Sequence, residues 1–350
     1  MSEQYQKEKK DLLQMKYRNY INRFPKYTHE FFYYYDLKNA SPKTIMEYAK
    51  DIDTFFSFLV ENNPTIHSYA DITLDVLDML TSEDIQAYMT YLLRYQKNEH
   101  IHKNKEIGRA RKLTTLRSFY KYYQSVTKAI NNNPAAAYPL PKIQTKDVIA
   151  MTYDEIQLLL DEIYQSEHSD NYTKHQKAYM KKAFKRDLAL IVLLLGTGIR
   201  VSECADIDID DIDRRDNSIR IFRKGGKESQ VFFGENVAEI LDDYIEHGRK
   251  PKDINEKALF ISDRGTRIST RTIERLVKKY TKNTIKSKTI TPHKLRSSYA
   301  TQLYNQTRDP MLVKEALGHQ NISVVQKYIK ADESYRKEAA QISDSFVEQK

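Results

Sequence analysis

Residues 196–203 read Gly196-Thr197-Gly198-Ile199-Arg200-Val201-Ser202-Glu203. They follow an unbroken apolar run, residues 188–195, of the kind a fully buried helix carries. The Gly-Thr-Gly break ends that helix, and a guanidinium follows at once. Alone, the stretch fits a helix C-terminus with a surface arginine. Its meaning depends on three later segments. In Lys224-Gly225-Gly226-Lys227 the chain turns between the alternating residues 218–222 and the strand-like residues 230–233, which predicts a hairpin. Thr291-Pro292 opens a helix on which His293 and Arg296, three residues apart, share a face. A further helix starts at Asp309-Pro310 and ends near Gly318, in Leu317-Gly318-His319, and Tyr328 follows nine residues after His319. Each segment alone has an ordinary structural explanation. Hairpin lysines are usually solvated, and Tyr328 is one of 26 tyrosines.

The half that precedes these segments is helical by pattern. A helix is predicted over residues 11–24, stopping near Pro25. Ser41-Pro42 starts another, with Ile45, Tyr48, Ile52, Phe55, Phe56 and Leu59 at helical spacing. Thr81-Ser82-Glu83-Asp84 begins a third, with Ile85, Tyr88, Met89 and Leu92 inward. A fourth covers residues 106–126, burying Ile107, Leu113, Leu116, Phe119 and Tyr120 and leaving Arg109, Arg111, Lys112, Arg117 and Lys121 on the other face. Three prolines between residues 131 and 146 predict an interdomain linker. Thr152-Tyr153-Asp154-Glu155 has capping-box spacing and opens the second domain. The expected division is a helical domain over 1–130, a linker over 131–146 and a domain over 147–350. Residues 334–346 carry Tyr335, Ala339, Ile342 and Phe346 on one side of a last amphipathic helix.

Composition narrows the function. With 57 Lys and Arg against 48 Asp and Glu, the net charge of +9 favours a polyanionic partner. One cysteine, Cys204, allows no internal disulfide and fits a reducing compartment. The charged N-terminus lacks the apolar stretch of a signal peptide, and the longest apolar run is far short of the roughly 20 residues that cross a bilayer. A soluble, cytoplasmic protein is expected. No Cys cluster, His-Glu-x-x-His or P-loop is present. The acidic residues 206–213 alternate with apolar ones, which fits a half-buried strand or turn better than a magnesium site. Neither a metal nor a cofactor is expected.

In this order and spacing, TGIRVSE, KGGK, HKLR, LGH and the tyrosine nine residues on resemble the tyrosine recombinase (phage integrase) family. The resemblance covers residues 147–342. It extends into the first half, where SPKTIMEYAKDIDTFFSFL and ARKLTTLRSFYKYY followed by NNNP look like the first and last helices of the core-binding domain. FPKYTHEFFYYYDLKNASPKTIMEY resembles the Xer subgroup, most closely its XerS type. The resemblance implies a mainly α fold with a small β-sheet in the catalytic domain, and two domains closing as a C-shaped clamp on DNA.

Metal-free cleavage of a phosphodiester needs a nucleophile, charge compensation and an acid. Tyr328 can supply the nucleophile, forming a reversible ester that needs no ATP for rejoining. Arg200 and Arg296 are permanently charged donors suited to non-bridging oxygens. Glu203, one helical turn from Arg200, is expected to orient it. By resemblance, Lys224 protonates the 5′-oxygen, while His293 and His319 bond to the scissile phosphate and His293 takes the tyrosine proton. Expected DNA contacts are Ser41, Lys43, Thr44, Tyr48, Arg109, Arg111, Lys112, Thr114, Arg117, Lys121 and Lys227. The resemblance further implies inverted-repeat half-sites, a tetramer on two sites linked by exchange of the C-terminal helix, a 3′-phosphotyrosyl intermediate, a Holliday junction, and resolution of chromosome dimers at a dif-like site. An integrase of a phage or conjugative element, a type IB topoisomerase and a DNA-binding protein without catalysis are the alternatives. Whether a DNA translocase takes part stays open.

Overall fold

The computed structural model describes residues 3–97, 99–143, 148–168, 174–223, 226–318, 321–322, 325–329 and 340–341. The chain divides into two compact units, residues 3–145 and the remainder from 146 onward.

The first unit contains α1 (Glu3–Ile21), α2 (Lys26–Leu37), α3 (Pro42–Asn62), α4 (Leu74–Met79), α5 (Ser82–Tyr91), α6 (Glu106–Lys121) and α7 (Pro134–Ala137). Ser41 caps α3 by accepting the Thr44 amide at 3.1 Å, and Pro42 occupies the first turn. Ile45, Ile52, Phe55, Phe56 and Leu59 are then buried against Phe31, Leu113, Leu116 and Phe119. Thr81 and Asp84 cap α5 reciprocally. The core is strongly aromatic: Phe31 meets Phe119 edge-on with ring centroids 5.1 Å apart, and Phe55 meets Tyr88 at 5.0 Å.

Four features differ from expectation here. The helix begun at Glu106 changes to a π-helical turn over Tyr122–Thr127. Ile107 is exposed, because it lies in the first turn, ahead of the packed length of α6. A small antiparallel sheet, β1 (Tyr95–Lys97) with β2 (His100–His102), gives this unit a sheet of its own. Finally, the expected linker is partly body. Asp78 accepts the amides of Asn131 and Asn132 at 2.8 and 2.7 Å, Asn133 caps α7, and Ala135 is fully buried.

The second unit contains α8 (Tyr153–His168), α9 (Lys174–Thr197), α10 (Val201–Asp206), β3 (Ile212–Asp213), β4 (Ser218–Phe222), β5 (Glu228–Phe232), α11 (Glu235–Asp243), α12 (Thr270–Thr284), α13 (Pro292–Thr307), α14 (Pro310–Leu317) and α15 (Gln326–Ile329). Thr152 and Glu155 cap α8 reciprocally, at 2.8 and 3.2 Å. The apolar end of α9 is the centre of this unit: Leu188, Ile191, Leu193 and Leu194 are buried, with α8, α11 and α13 packed around the helix. The three strands pair antiparallel in the order β3-β4-β5, with Ile219 opposite Val231 and Phe222 opposite Glu228. Ile219, Ile221 and Val231 face the core.

The acidic residues 206–213 form a 3-10 turn (Ile209–Asp211) and strand β3. Their buried carboxylates are held by arginines: Asp208 by Arg267, and Asp211 by Arg220 at 2.9 Å. Among the described residues, no cluster of three His, Cys, Asp or Glu side chains is placed to hold a metal. None of the helices described is long and apolar enough to cross a membrane.

Candidate active site

The site is assembled where α9 ends. Gly198 has φ +61°, and a Cβ there would overlap the Tyr299 ring, so both conformation and packing require glycine. The break turns the chain into α10, with Arg200 at its N-cap. Glu203 joins the two by both oxygens. Oε2 accepts the Arg200 amide at 2.7 Å, and Oε1 accepts Arg200 Nη1 at 2.7 Å. The carboxylate is buried while the Arg200 side chain is 40% exposed, so a fixed acid aims a solvent-facing guanidinium.

Arg296, one turn into α13, is 3% exposed. Its Nη1 donates to the Gly198 carbonyl and its Nη2 to the Leu317 carbonyl at 2.8 Å. One side chain therefore joins the break before Arg200 to the end of α14. Burial first, and then the charge of Arg200, lower its pKa to about 10, against the opposing pull of Glu203. His293 lies one turn earlier, exposed on the first turn of α13. Partial burial of its ring, then the charges of Arg296, Arg200 and Lys327, lower its pKa and favour neutral imidazole. Tyr328, on α15, is 5% exposed and packs with Ala300, Tyr304, Val313, Leu317 and Val325. Leu317, in that cluster, is the residue whose carbonyl accepts Arg296 Nη2. Arg200, His293 and Arg296 thus share one electrostatic neighbourhood with Tyr328 packed beside it, although 128 positions separate Arg200 from Tyr328 in the sequence.

Lys224 and His319 lie outside the described residues, as does the expected C-terminal helix over 334–346 apart from positions 340 and 341. Lys227 is exposed at the hairpin neck, where its carbonyl accepts the Arg223 amide at 2.8 Å. Arg223 itself was not among the expected site residues. It is half-buried, donates Nη1 to the Leu317 carbonyl, and lies close enough to Glu203 and Arg200 to feel both charges. Its position, a cation just before Lys224 at the end of an alternating strand, was the available signal.

The expected DNA contacts of the first unit separate into two kinds. Lys43, Thr114 and Lys121 are exposed, and Ser41 and Thr44 sit at the start of α3. Lys112 is a correction. It is 6% exposed and its ammonium pairs with fully buried Asp51 at 2.9 Å, so it belongs to the core. Arg111 bridges Glu47 at 3.2 Å and Asp51 at 2.8 Å, and Arg109 approaches Glu106 at 3.6 Å. Arg117 donates to the carbonyls of Ala135 and Tyr138, binding α7 to α6. Tyr48 packs against Phe31 and Tyr35.

Known proteins resemble both units. The phage integrase family matches residues 151–334, and the family described as "Phage integrase, N-terminal SAM-like domain" matches residues 28–125. Tyrosine recombinase XerC of Caldanaerobacter subterraneus subsp. tengcongensis is 32% identical over 328 residues, covering 91% of this chain and 86% of that protein. Tyrosine recombinase XerS of Streptococcus uberis is 33% identical over 330 residues, covering 84% and 89%. In fold, the chain is similar to XerH site-specific recombinase bound to its difH substrate, with TM-score 0.61 at 20% identity, covering 87% of this chain and 80% of that one. It is also similar to lambda integrase in a tetramer bound to a Holliday junction, with TM-score 0.60 at 17% identity, covering 86% and 76%.

Proposed function

The chain belongs to the phage integrase family of tyrosine recombinases and is a site-specific recombinase; we propose that Tyr328 is its nucleophile and that Arg200, Arg296, His293, His319 and Lys224 complete the catalytic set. The Tyr328 oxygen attacks the scissile phosphorus and the bond to the 5′-oxygen breaks, leaving a 3′-phosphotyrosyl ester. The two guanidiniums bind the non-bridging oxygens and take up the charge that grows on them. His293 accepts the phenolic proton, Lys224 protonates the departing 5′-oxygen, and His319 donates to the phosphate. Rejoining reverses these steps without ATP.

The observation that carries this reading is Arg296. Its two carbonyl bonds unite the segments before Arg200 and before His319, and its lowered pKa reflects burial beside a second guanidinium. Such a site gains from a bound phosphate. The lowered His293 pKa supports a base that is neutral at pH 7. Similarity to XerC and XerS supports a cytoplasmic enzyme that acts as a tetramer on inverted half-sites and resolves chromosome dimers. On duplex DNA, exposed Lys43, Lys121 and Lys227 contact phosphates and set position, not sequence.

The test uses a nicked duplex carrying an inverted repeat selected from randomised DNA for binding to the wild-type protein, with EDTA throughout. Wild type should give a slow, protease-sensitive protein–DNA band on a denaturing gel, and Tyr328→Phe should give none. A band from the Phe variant, or none from either, would overturn the assignment of the nucleophile.

A further inference from the structure

We propose that Arg223 is a positioning residue for strand cleavage, a latch that ties the neck of the β4–β5 hairpin to the Leu317–Gly318 corner and so sets where the next residue, Lys224, delivers its proton. The inference deepens the proposed function and rests on Lys224 being the acid.

Arg223 is fixed at both ends. Its amide donates to the Lys227 carbonyl at 2.8 Å, and its carbonyl accepts the Gly226 amide at 3.1 Å, so its backbone closes the hairpin neck. Its side chain leaves the hairpin. Nη1 donates to the Leu317 carbonyl, the same oxygen that accepts Arg296 Nη2. The guanidinium lies over Gly318, where any Cβ would overlap it and where φ is +61°. A hairpin neck needs no such contact, because a solvent-facing arginine would keep its hydration. Here Nε is buried with no hydrogen-bond partner among the described residues, and burial lowers the pKa of the group. The side chain thus gives up solvation to reach a carbonyl already bound to Arg296. Through that oxygen the hairpin neck, one residue before Lys224 in the sequence, is registered against Arg296.

The chemistry provides a selective readout. In cleavage the Tyr328 O–P bond forms, the P–O5′ bond breaks, and the 5′-oxygen takes a proton from the Lys224 ammonium, which solvent restores. With sulfur in the 5′-bridging position the leaving group is a thiolate. Its conjugate thiol has a pKa of about 8.5, so it departs without the proton. A defect that acts through the acid should vanish on the sulfur substrate, whereas a general weakening of the fold or of phosphate binding should persist on both.

The experiment compares single-turnover cleavage of oxygen and 5′-sulfur versions of the selected nicked duplex by full-length wild type, Arg223→Met, Arg223→Lys and Lys224→Ala. The ratio of the two rates is read within each sample, so it does not depend on the folded fraction. Arg223→Met should be about 10- to 100-fold slow on oxygen, at or below the usual worth of a general acid, and within about 3-fold of wild type on sulfur. Arg223→Lys, which keeps a donor for the Leu317 carbonyl, should recover most of the oxygen rate. An Arg223→Met ratio equal to wild type would overturn the inference. Failure of sulfur to rescue Lys224→Ala would instead sink the acid assignment, and the latch with it. Rescue of Lys224→Ala without rescue of Arg223→Met would sink the latch alone.

Discussion

Three cations of α6, Arg109, Arg111 and Lys112, meet carboxylates, whereas Arg296 and Arg223 meet carbonyl oxygens. Arg111 and Lys112 both reach Asp51, and Arg111 reaches Glu47 as well. Arg296 is held by the carbonyls of Gly198 and Leu317, and Arg223 shares the second of these. A carboxylate both positions and neutralises a cation. A carbonyl positions a cation without neutralising it. The residue types alone do not tell these cations apart: carboxylates neutralise Arg111 and Lys112, whereas the carbonyls that hold Arg223 and Arg296, and Arg117 on α6, do not. Glu203 lies between the two cases: it neutralises Arg200 in part while leaving the guanidinium exposed.

The sharpest way to break this comparison is to remove the neutralising partner. Asp51→Ala leaves the Lys112 ammonium buried without its carboxylate and should cost about 3–5 kcal/mol of stability in urea unfolding of the full chain. A loss under 1 kcal/mol would mean that Lys112 reaches solvent, and would return it to the DNA-facing set. Next in size is Arg296→Lys. One ammonium cannot span both carbonyls and a phosphate, so covalent-complex formation should fall by at least about 10²-fold while duplex binding holds. An equal fall in binding would make Arg296 an ordinary binding residue.

A smaller effect should appear with pH. Because the folded His293 pKa lies below its ordinary 6.5, the neutral base persists through neutrality and is lost only as pH falls below that value. Cleavage should therefore be flat from pH 8 to 7 and decline on the acid side of 6.5, and His293→Gln should remove the acid limb. A decline already present at pH 7 would contradict the lowered pKa. The smallest effects belong to the exposed lysines. Lys43→Ala and Lys121→Ala should each reduce the slope of log affinity against log salt by about 1. Lys112→Ala should leave that slope unchanged in the folded protein.

The sequence by itself determined the elements and their caps. Ser41-Pro42, Thr81 with Asp84, Thr152 with Glu155, and Gly318 are local signals, each needing only a few neighbouring residues, and the structure uses all of them. The order and spacing of Arg200, His293, Arg296 and Tyr328 are likewise sequence features, and they carry the resemblance on which their proposed roles rest. Partners far apart in the chain were not. Asp51 claims Lys112 across 61 positions, Asp78 holds Asn131 and Asn132 inside what reads as a linker, and Leu317 accepts Arg223 across 94. Helical periodicity reports which face a side chain occupies, but not what lies opposite it. Only the tertiary structure brings a particular carboxylate or carbonyl to a particular cation, and that pairing decides whether its charge is neutralised within the fold.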